Sequence, residues 1–215
     1  MLGALSLMSN ILYGKPVAES LYLELARELK VYNLTPHLVN VGLQNNQQWL
    51  QYTTSIYRIA TEHDITVDNI FLPEDVSEQE FYDKVSKLSD DRTVDAIMVQ
   101  QPLPARYNNS LILSAINVNK DADCLCDVSL ARLYRGESVF TPATPTAVIC
   151  LLDYYNIDVF GKNITVIGRG NAVGKPLSLM LTARNATVTL CHSKTENLLT
   201  HTANADIIIC ATGKN

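Results

Sequence analysis

A glycine-rich turn lies between a short apolar run and a helix-like segment in the second half of the chain. It reads "VIGRGNAVGKP" over residues 166–176, with glycines at 168, 170 and 174. Because glycine has no side chain, the backbone of such a turn can approach a phosphate closely. The free N–H groups at the start of a helix attract the negative charge of the phosphate. The spacing does not match a P-loop and is one residue longer than the usual dinucleotide fingerprint. A turn that serves only close packing of a helix on a strand is an equally good interpretation.

Two neighbouring features favour a bound nucleotide. Folds that bind a free ribose hydroxyl usually carry an acidic residue at the end of the second strand, about 20 residues after the turn. Here that region reads "CHSKT", with His192, Ser193 and Lys194 and no carboxylate. Arg169, inside the turn, has a guanidinium whose shape suits bidentate contact with a phosphate. The sequence therefore predicts a ribose with a 2'-phosphate, and NADP rather than NAD.

The composition is typical of a folded, soluble protein with a substantial core. The chain has 215 residues, of which 47% are hydrophobic, and a formal net charge of -5. Lys and Arg are scattered, which argues against nucleic acid or an anionic membrane as a partner and favours a small metabolite. The first residues, "MLGALSLMSNIL", lack a basic region and a cleavage site. They predict no targeting signal and a cytoplasmic location.

The five cysteines form an odd set, which is typical of a reducing compartment. Cys124 and Cys126 make a Cys-x-Cys pair, but no second pair or histidine cluster follows at the spacing of a zinc site. Buried or incidental thiols are the better interpretation. We predict no metal.

Strand-like and helix-like segments alternate, which predicts an α/β fold with mostly parallel sheets. Ser77 and Glu80 predict a capping box at a helix start. The stretch 117–138 is rich in polar and turn residues and predicts a loop around a site. Thr144, as an N-cap before Pro145, predicts the start of a helix that links two lobes. The predicted helices are 14–33, 45–63, 77–91, 109–117, 144–157, 172–184 and 195–203, and the predicted strands are 36–43, 65–72, 93–101, 164–168, 187–192 and 206–211. The lobes are 1–139 and 140–215.

Several sequence blocks, in order, match one family. The chain resembles the bifunctional methylenetetrahydrofolate dehydrogenase and methenyltetrahydrofolate cyclohydrolase family from about residue 14 to its last residue. The family's forms are V-Q-L-P-L-P, K-D-V-D-G-F, P-C-T-P-x-G, V-I-G-R-S-x-x-V-G-K-P, A-T-V-T-x-C-H-S-x-T and A-D-I-x-x-x-A-x-G-K. The corresponding stretches are "VQQPLP" (99–104), "KDADCL" (120–125), "PATPTA" (142–147), "VIGRGNAVGKP", "ATVTLCHSKT" (186–195) and "ADIIICATGK" (205–214).

The resemblance implies a substrate lobe followed by a Rossmann-type lobe, with one cleft between them for both reactions. Such enzymes oxidise 5,10-methylenetetrahydrofolate with NADP, or in some members NAD, and hydrolyse the methenyl product to 10-formyltetrahydrofolate. By resemblance, Tyr52 packs against the folate ring, Gln100 joins the catalytic hydrogen-bond network and Asp123 binds the pterin, with Pro102 and Leu103 nearby. The family also implies a homodimer. The residues implied for the cofactor are Thr144, Gly168, Arg169, Gly170, Val173, Gly174, His192 and Ser193. From the residues alone, the better interpretation of Tyr52 is a core aromatic, and that of Gln100 is a strand-end residue that satisfies local backbone.

One departure concerns a catalytic lysine that the family places one helical turn after the tyrosine. Aligning Tyr52 with that tyrosine needs two extra residues and puts Ile56 at the lysine position. Without them the tyrosine falls on Leu50 and the lysine on Thr54. Ile56 has no proton to exchange, so we expect weakened cyclohydrolase activity. Arg58 is turned by about 200 degrees from Ile56 and is poorly placed to replace the lysine.

A second departure is that family members continue beyond "ATGKN", where this chain ends. We therefore expect strand 164–168 to have an open apolar edge. The first hypothesis is an NADP-dependent folate dehydrogenase with weakened cyclohydrolase activity, and the alternative is a degenerate or truncated relative that binds folate or nucleotide without turnover. A separate possibility is that the sequence is an incomplete record of a longer chain. An unrelated nucleotide-binding module is disfavoured by the matching blocks in the first lobe.

Overall fold

The structure of the protein is a computed structural model that describes residues 10–138 and 140–213. The residues before Asn10, on which the expectation about targeting depends, lie outside this range. In the first half of the chain the elements are α1 (Gly14–Tyr32), β1 (His37–Leu43), α2 (Gln47–Glu62), β2 (Thr66–Leu72), α3 (Glu78–Asp90), β3 (Ala96–Val99), α4 (Asn109–Ser114) and α5 (Asp127–Arg135). In the second half they are α6 (Ala143–Tyr154), β4 (Asn163–Ile167), α7 (Gly174–Ala183), β5 (Thr187–Cys191), α8 (Leu198–Ala203) and β6 (Ile207–Cys210).

The first sheet has three parallel strands in the order β2-β1-β3. Its central strand, β1, is buried from Val39 to Leu43, including the polar Asn40, because helices cover both sides of a parallel sheet. Val41 and Ile97 are fully buried, and Phe81 from α3 and Ile112 from α4 pack with them. The Ser77 hydroxyl and the Glu80 carboxylate form the predicted capping box at the start of α3. The alternation of strands and helices is therefore confirmed in this half.

The second sheet is also parallel, in the order β5-β4-β6. Ile164 on β4 lies opposite Val188 on β5 and Ile207 on β6. The expectation of an open edge at strand 164–168 is therefore wrong, because β6 covers the side of β4 that β5 leaves free. Leu177 and Leu181 of α7 pack on this sheet. Among the described residues, no helix is both long and apolar enough to cross a membrane.

Apart from element ends that differ by up to three residues, two local predictions differ from the structure. The stretch 117–138 is not all loop, because residues 127–135 form α5, which buries Ser129 and Leu133 between polar neighbours. Thr144 is not an N-cap: α6 begins one residue earlier and ends at Tyr154, not 157. The Pro142 carbonyl already accepts a hydrogen bond from the Thr146 N–H, at 3.0 Å, and another from the Thr146 hydroxyl.

The glycines of the turn between β4 and α7 have different surroundings. A Cβ at Gly174 would lie 1.8 Å from the Gly168 carbonyl oxygen. Gly168 has a φ of 119°, and a Cβ there would lie 2.4 Å from the Ala211 carbonyl oxygen. A Cβ at Gly170 would meet nothing within 4 Å. The packing interpretation therefore accounts for Gly168 and Gly174, whereas Gly170 borders open space.

We predict that Gly174→Ala lowers the free energy of unfolding by about 1–3 kcal/mol, because the new methyl must displace backbone. Gly170→Ala is the matched control and should change it by no more than about 0.5 kcal/mol. Urea denaturation of the two variants measures the difference. Equal stability of the two would contradict the packing role of Gly174.

Candidate functional site

The carboxyl ends of β1 and β3 are joined by the side chain of Gln100. This residue is 1% exposed, and its Oε1 accepts a hydrogen bond from the Leu43 N–H at 2.8 Å. Its own N–H donates to the Val41 carbonyl at 2.9 Å. A buried carboxamide that bridges two strand ends fixes where the following segments leave the sheet. Gln100 therefore does what a strand-end residue does, and it also faces open space, as described below.

One cleft opens at this edge of the first sheet, and we call it the edge cleft. Its volume is about 270 Å³. It brings together Tyr52, Pro102 and Asp123, three of the residues predicted to bind substrate. Leu103 instead packs against the first core, and Gln100 lines the neighbouring cleft. The lining of the edge cleft consists of Asn46, Gln48, Trp49, Tyr52, Val99, Gln101, Pro102 and Asp123.

Asp123 is held beside the cleft by a short extension of the first sheet. The Ile97 N–H donates to the Lys120 carbonyl at 2.7 Å, and the Ala122 N–H donates to the Ile97 carbonyl at 3.2 Å. No described residue donates a hydrogen bond to the Asp123 carboxylate. Burial, and secondarily the charge of Asp121, raise its pKa to about 6. Asp123 can therefore hold or release a proton near neutral pH, and its oxygens are available to a ligand.

The opposite wall of the edge cleft is aromatic. Tyr52 is 47% exposed, and its ring lies 5.9 Å from that of Trp49 at an angle of 41°. Burial, followed by the charge of Asp123, raises the pKa of Tyr52. A Cβ at Gly42 would lie 2.1 Å from the Trp49 Nε1, so the indole requires glycine at the end of β1. The sequence reasoning missed Trp49 and Gln101, although Trp49 is the only tryptophan of the chain.

The structure places Tyr52, and not Leu50, on the lining of the edge cleft. Ile56 follows one helical turn later on the same side of α2 and is half-buried. The exposed Thr54 donates its hydroxyl to the Leu50 carbonyl at 2.7 Å. Arg58 pairs with Glu62 at 3.2 Å on the solvent side. No amine is therefore present among the described residues that line the cleft.

The predicted cofactor residues cluster at the carboxyl ends of β4 and β5. The Gly168 N–H donates to the Cys191 carbonyl at 2.8 Å, which joins the two turns. Arg169 is exposed and makes no hydrogen bond or ion pair with any described side chain. The His192 Nδ1 accepts from the Lys194 N–H at 3.2 Å, which puts the proton of a neutral ring on Nε2.

The remaining cofactor candidates lie on three different segments. Ser193 is exposed, and Val173 immediately precedes α7. Thr144 is exposed in the first turn of α6. The free guanidinium of Arg169 and the open space at Gly170 suit a phosphate-bearing cofactor.

A second cleft, of about 560 Å³, connects the two halves of the molecule, and we call it the interlobe cleft. It shares Gln101 and Pro102 with the edge cleft, and it extends to Asn171 and Ala172 of the glycine turn. A ligand in the edge cleft and a second ligand at the glycine turn would therefore lie on either side of one shared wall.

The thiols of Cys124 and Cys126 are buried. Burial raises the pKa of Cys124 to about 11, and it also raises that of Cys126, whose Sγ donates to the Leu113 carbonyl. The described part of the chain holds no group of three or more side chains placed to bind a metal ion.

The fold and the two clefts define an α/β protein with a Rossmann-like nucleotide-binding half. Residues 12–123 match the model of the tetrahydrofolate dehydrogenase/cyclohydrolase catalytic domain, and residues 142–215 match the model of the NAD(P)-binding domain of the same enzymes. The chain belongs to the tetrahydrofolate dehydrogenase/cyclohydrolase family. The expected family and the α/β fold are thus confirmed, and the family's reactions belong to one-carbon folate metabolism.

Comparisons with individual proteins support the same family. The bifunctional protein FolD of Clostridium botulinum (strain Langeland) is 41% identical over 212 residues, which cover 96% of this chain and 75% of that protein. The crystal structure of the Campylobacter jejuni FolD enzyme matches with a TM-score of 0.90 and 34% identity, covering 95% of this chain and 74% of that one. The Trypanosoma brucei FolD, complexed with NADP cofactor and inhibitor, matches with a TM-score of 0.90 and 27% identity, covering 96% and 72%.

We predict that Asp123→Asn raises the free energy of unfolding at pH 8 by about 1–3 kcal/mol. The native pKa of about 6 lies above the ordinary 3.8. The stabilising contribution of this carboxyl is therefore present below pH 4 and is lost as the pH rises through about 6. The gain in the variant should shrink towards pH 4, as measured by urea denaturation across this range. Asp75→Asn, at an exposed position, is the control. A gain in the free energy of unfolding of Asp123→Asn that does not change with pH would contradict the raised pKa of Asp123.

Proposed function

We propose that this protein catalyses the NADP-dependent oxidation of 5,10-methylenetetrahydrofolate to 5,10-methenyltetrahydrofolate, and that its cyclohydrolase step to 10-formyltetrahydrofolate is weakened. The observation that carries this proposal is the shared wall, formed by Gln101 and Pro102, between the edge cleft and the interlobe cleft. It would let a folate ring beside Asp123 approach a cofactor bound at the glycine turn. The proposed lobes are residues 1–139 and 140–215.

Three of the residues predicted to bind substrate would each have a physical role at the edge cleft. The Asp123 carboxylate, which has no partner among the described residues, would accept hydrogen bonds from the pterin. Tyr52 would offer its half-exposed ring as a stacking surface, supported from behind by Trp49. Gln100 would fix the depth of the cleft through its bond to Leu43. Holding two rings in contact supplies most of what hydride transfer needs from the protein.

In the second lobe, Gly170 and Arg169 are proposed to bind the cofactor phosphates, with His192 and Ser193 beside the ribose. Val173 and Thr144 would lie at the rim, and Gly168 and Gly174 would let the turn keep its shape. When bound, NADP accepts the hydride. The absence of a carboxylate after β5, together with the unpaired Arg169, supports a preference for NADP over NAD. The homodimer stays a prediction.

The weakened cyclohydrolase step follows from the lining of the edge cleft. Water attack on the methenyl carbon and departure of a ring nitrogen both need a group that transfers or orients protons. Asp123 can exchange a proton, but no described amine stands beside it, because Ile56 occupies the position one turn after Tyr52 and Arg58 points to Glu62. The same observation favours the second candidate function, binding of folate or nucleotide without turnover, which the assay below distinguishes.

We predict that the purified protein reduces NADP when supplied with 5,10-methylenetetrahydrofolate and accumulates the methenyl compound. Ile56→Lys should raise the rate of methenyl hydrolysis by at least about tenfold, because general acid–base groups contribute about 10²–10⁴ in rate. Absorbance of NADPH and of the methenyl product measures both steps.

Ile56→Met is the control for a long side chain without a proton and should leave hydrolysis slow. A folded protein that binds tetrahydrofolate but forms no NADPH would establish the binding-only function. Failure of Ile56→Lys alone would remove Ile56 as the cause of slow hydrolysis.

We predict that Arg169→Gln raises the KM for NADP by about tenfold or more, because a charge-assisted phosphate contact is lost. The KM for NAD should change little. Lys162→Gln, which removes an equal charge from an exposed position of the same lobe, is the control. An equal loss for both cofactors would show that Arg169 does not distinguish them.

A further inference from the structure

Two helix pairs make the larger contacts between elements of the two lobes. In the first pair, α5 packs against α7 beside the interlobe cleft, whose lining includes Leu130 of α5. In the second pair, α1 packs against α6. Helix α6 belongs with the second lobe, because its Ile149 and Leu152 share a core with Leu177 of α7. The contact of α1 with α6 is therefore a second point, away from the interlobe cleft, at which one lobe is attached to the other.

A single hydroxyl group holds the end of the contact between α1 and α6. The Tyr155 hydroxyl accepts a hydrogen bond from the Tyr13 N–H at 3.1 Å and donates one to the Tyr13 carbonyl at 2.9 Å. One side chain thus binds both polar backbone groups of a residue that lies 142 positions earlier in the chain. We call this pair of hydrogen bonds the lobe clamp.

The lobe clamp joins the ends of two helices. Tyr13 is the N-cap residue of α1, and its side chain makes no capping hydrogen bond. Tyr155 is the C-cap residue of α6, and its N–H donates to the Leu151 carbonyl at 3.2 Å. The ring of Tyr154 lies edge-on to the ring of Tyr155, with centres 5.1 Å apart at an angle of 75°. Because both partners are fixed to helix ends, the clamp sets the position of one helix relative to the other.

Burial does not require the lobe clamp. Tyr13 is 62% exposed, so water can bind its backbone N–H and carbonyl when the Tyr155 hydroxyl is removed. Neither tyrosine belongs to the hydrophobic core cluster of its lobe. Loss of the hydroxyl should therefore leave both cores folded and release only the attachment of α1 to α6.

Helix α6 connects the lobe clamp with the candidate cofactor site. Thr144 lies in the first turn of α6 and Tyr155 follows its last residue, so about 18 Å of helix separates them. Helix α6 also packs against α7, which directly follows the glycine turn. A rotation of α6 would therefore move the glycine turn relative to the edge cleft. Such motions between lobes are expected where no contact prevents them.

We propose that the lobe clamp sets the distance between the edge cleft and the glycine turn, and that Tyr155 is a positioning residue for hydride transfer. The role in hydride transfer rests on the proposed function, whereas the role in the arrangement of the lobes does not. Loss of the clamp would leave the ligand contacts within each lobe as they are and change only the approach of the two rings. A misplacement of about 1 Å can lower a reaction rate about 10²-fold.

The first measurement is the distance between the lobes by double electron–electron resonance. Spin labels are introduced as a genetically encoded amino acid at Lys87 of α3 and Ala183 of α7, which are exposed and lie in different lobes. Tyr155→Phe removes only the hydroxyl and should broaden or shift the distance distribution. Tyr154→Phe is the matched control, because the Tyr154 hydroxyl makes no hydrogen bond with a described residue. It should keep the distance distribution of the wild-type protein.

The second measurement is the single-turnover rate of NADPH formation at saturating 5,10-methylenetetrahydrofolate and NADP. Tyr155→Phe should lower this rate about tenfold or more. The dissociation constants of both ligands should change less than about twofold, because the proposed contacts of each ligand lie within one lobe. Tyr154→Phe should keep the rate of the wild-type protein.

A second variant removes the other side of the clamp. Tyr13→Pro deletes the N–H donor at a residue whose φ of -87° is close to that of proline, and it should also lower the rate. Tyr13→Ala keeps the N–H and should keep the rate. Added to Tyr155→Phe, Tyr13→Pro should cause no further loss, because the two changes break the same interaction.

An unchanged distance distribution in Tyr155→Phe would overturn the proposal. Equal effects of Tyr155→Phe and Tyr154→Phe would also overturn it, since they would show that the hydroxyl of the clamp is not the cause. A changed distribution with an unchanged rate of NADPH formation would overturn the role of Tyr155 in hydride transfer. If the wild-type protein forms no NADPH, the proposed function fails, and the distance measurement alone decides whether the clamp holds the lobes.

Discussion

The bond from the Leu43 N–H to the buried Gln100 Oε1 fixes the geometry from which both clefts of the first sheet follow. It ties the end of β1 to the end of β3, so α2 begins and the segment after β3 departs at a set distance from each other. Tyr52 on α2 then faces Asp123, which the short extension of β3 positions. The same buried side chain also lines a neighbouring cleft of about 480 Å³.

The three glycines of the turn between β4 and α7 differ in how much space surrounds them. Gly174 and Gly168 are required because backbone atoms occupy the space of a side chain, whereas Gly170 borders open space next to Arg169. Packing therefore accounts for Gly168 and Gly174, and a phosphate contact at Gly170 stays a proposal. The same division appears in the first lobe, where Gly42 makes room for Trp49 and Tyr52 remains half-exposed in the cleft.

Sequence alone predicted the alternating α/β order, the capping box at Ser77 and, through family resemblance, the candidates Tyr52, Pro102 and Asp123 that meet in one cleft. It failed where tertiary contacts decide. The polar composition of α5 predicted a loop, because only Ser129 and Leu133 are buried in that helix. The pairing of β6 with β4 covered an edge that was expected to be open because family members have further strands. Trp49 and Gln101 were missed because neither has a chemical signature, and their position depends on how α2 and β3 end.

The central claim is that the edge cleft holds the folate ring between Tyr52 and Asp123, next to a cofactor at the glycine turn. A crystal structure of the protein with tetrahydrofolate and NADP tests it most directly. The account predicts the pterin within hydrogen-bonding distance of the Asp123 carboxylate and the Tyr52 ring stacked on the ligand. A folate bound elsewhere, with the edge cleft filled only by water, would contradict it.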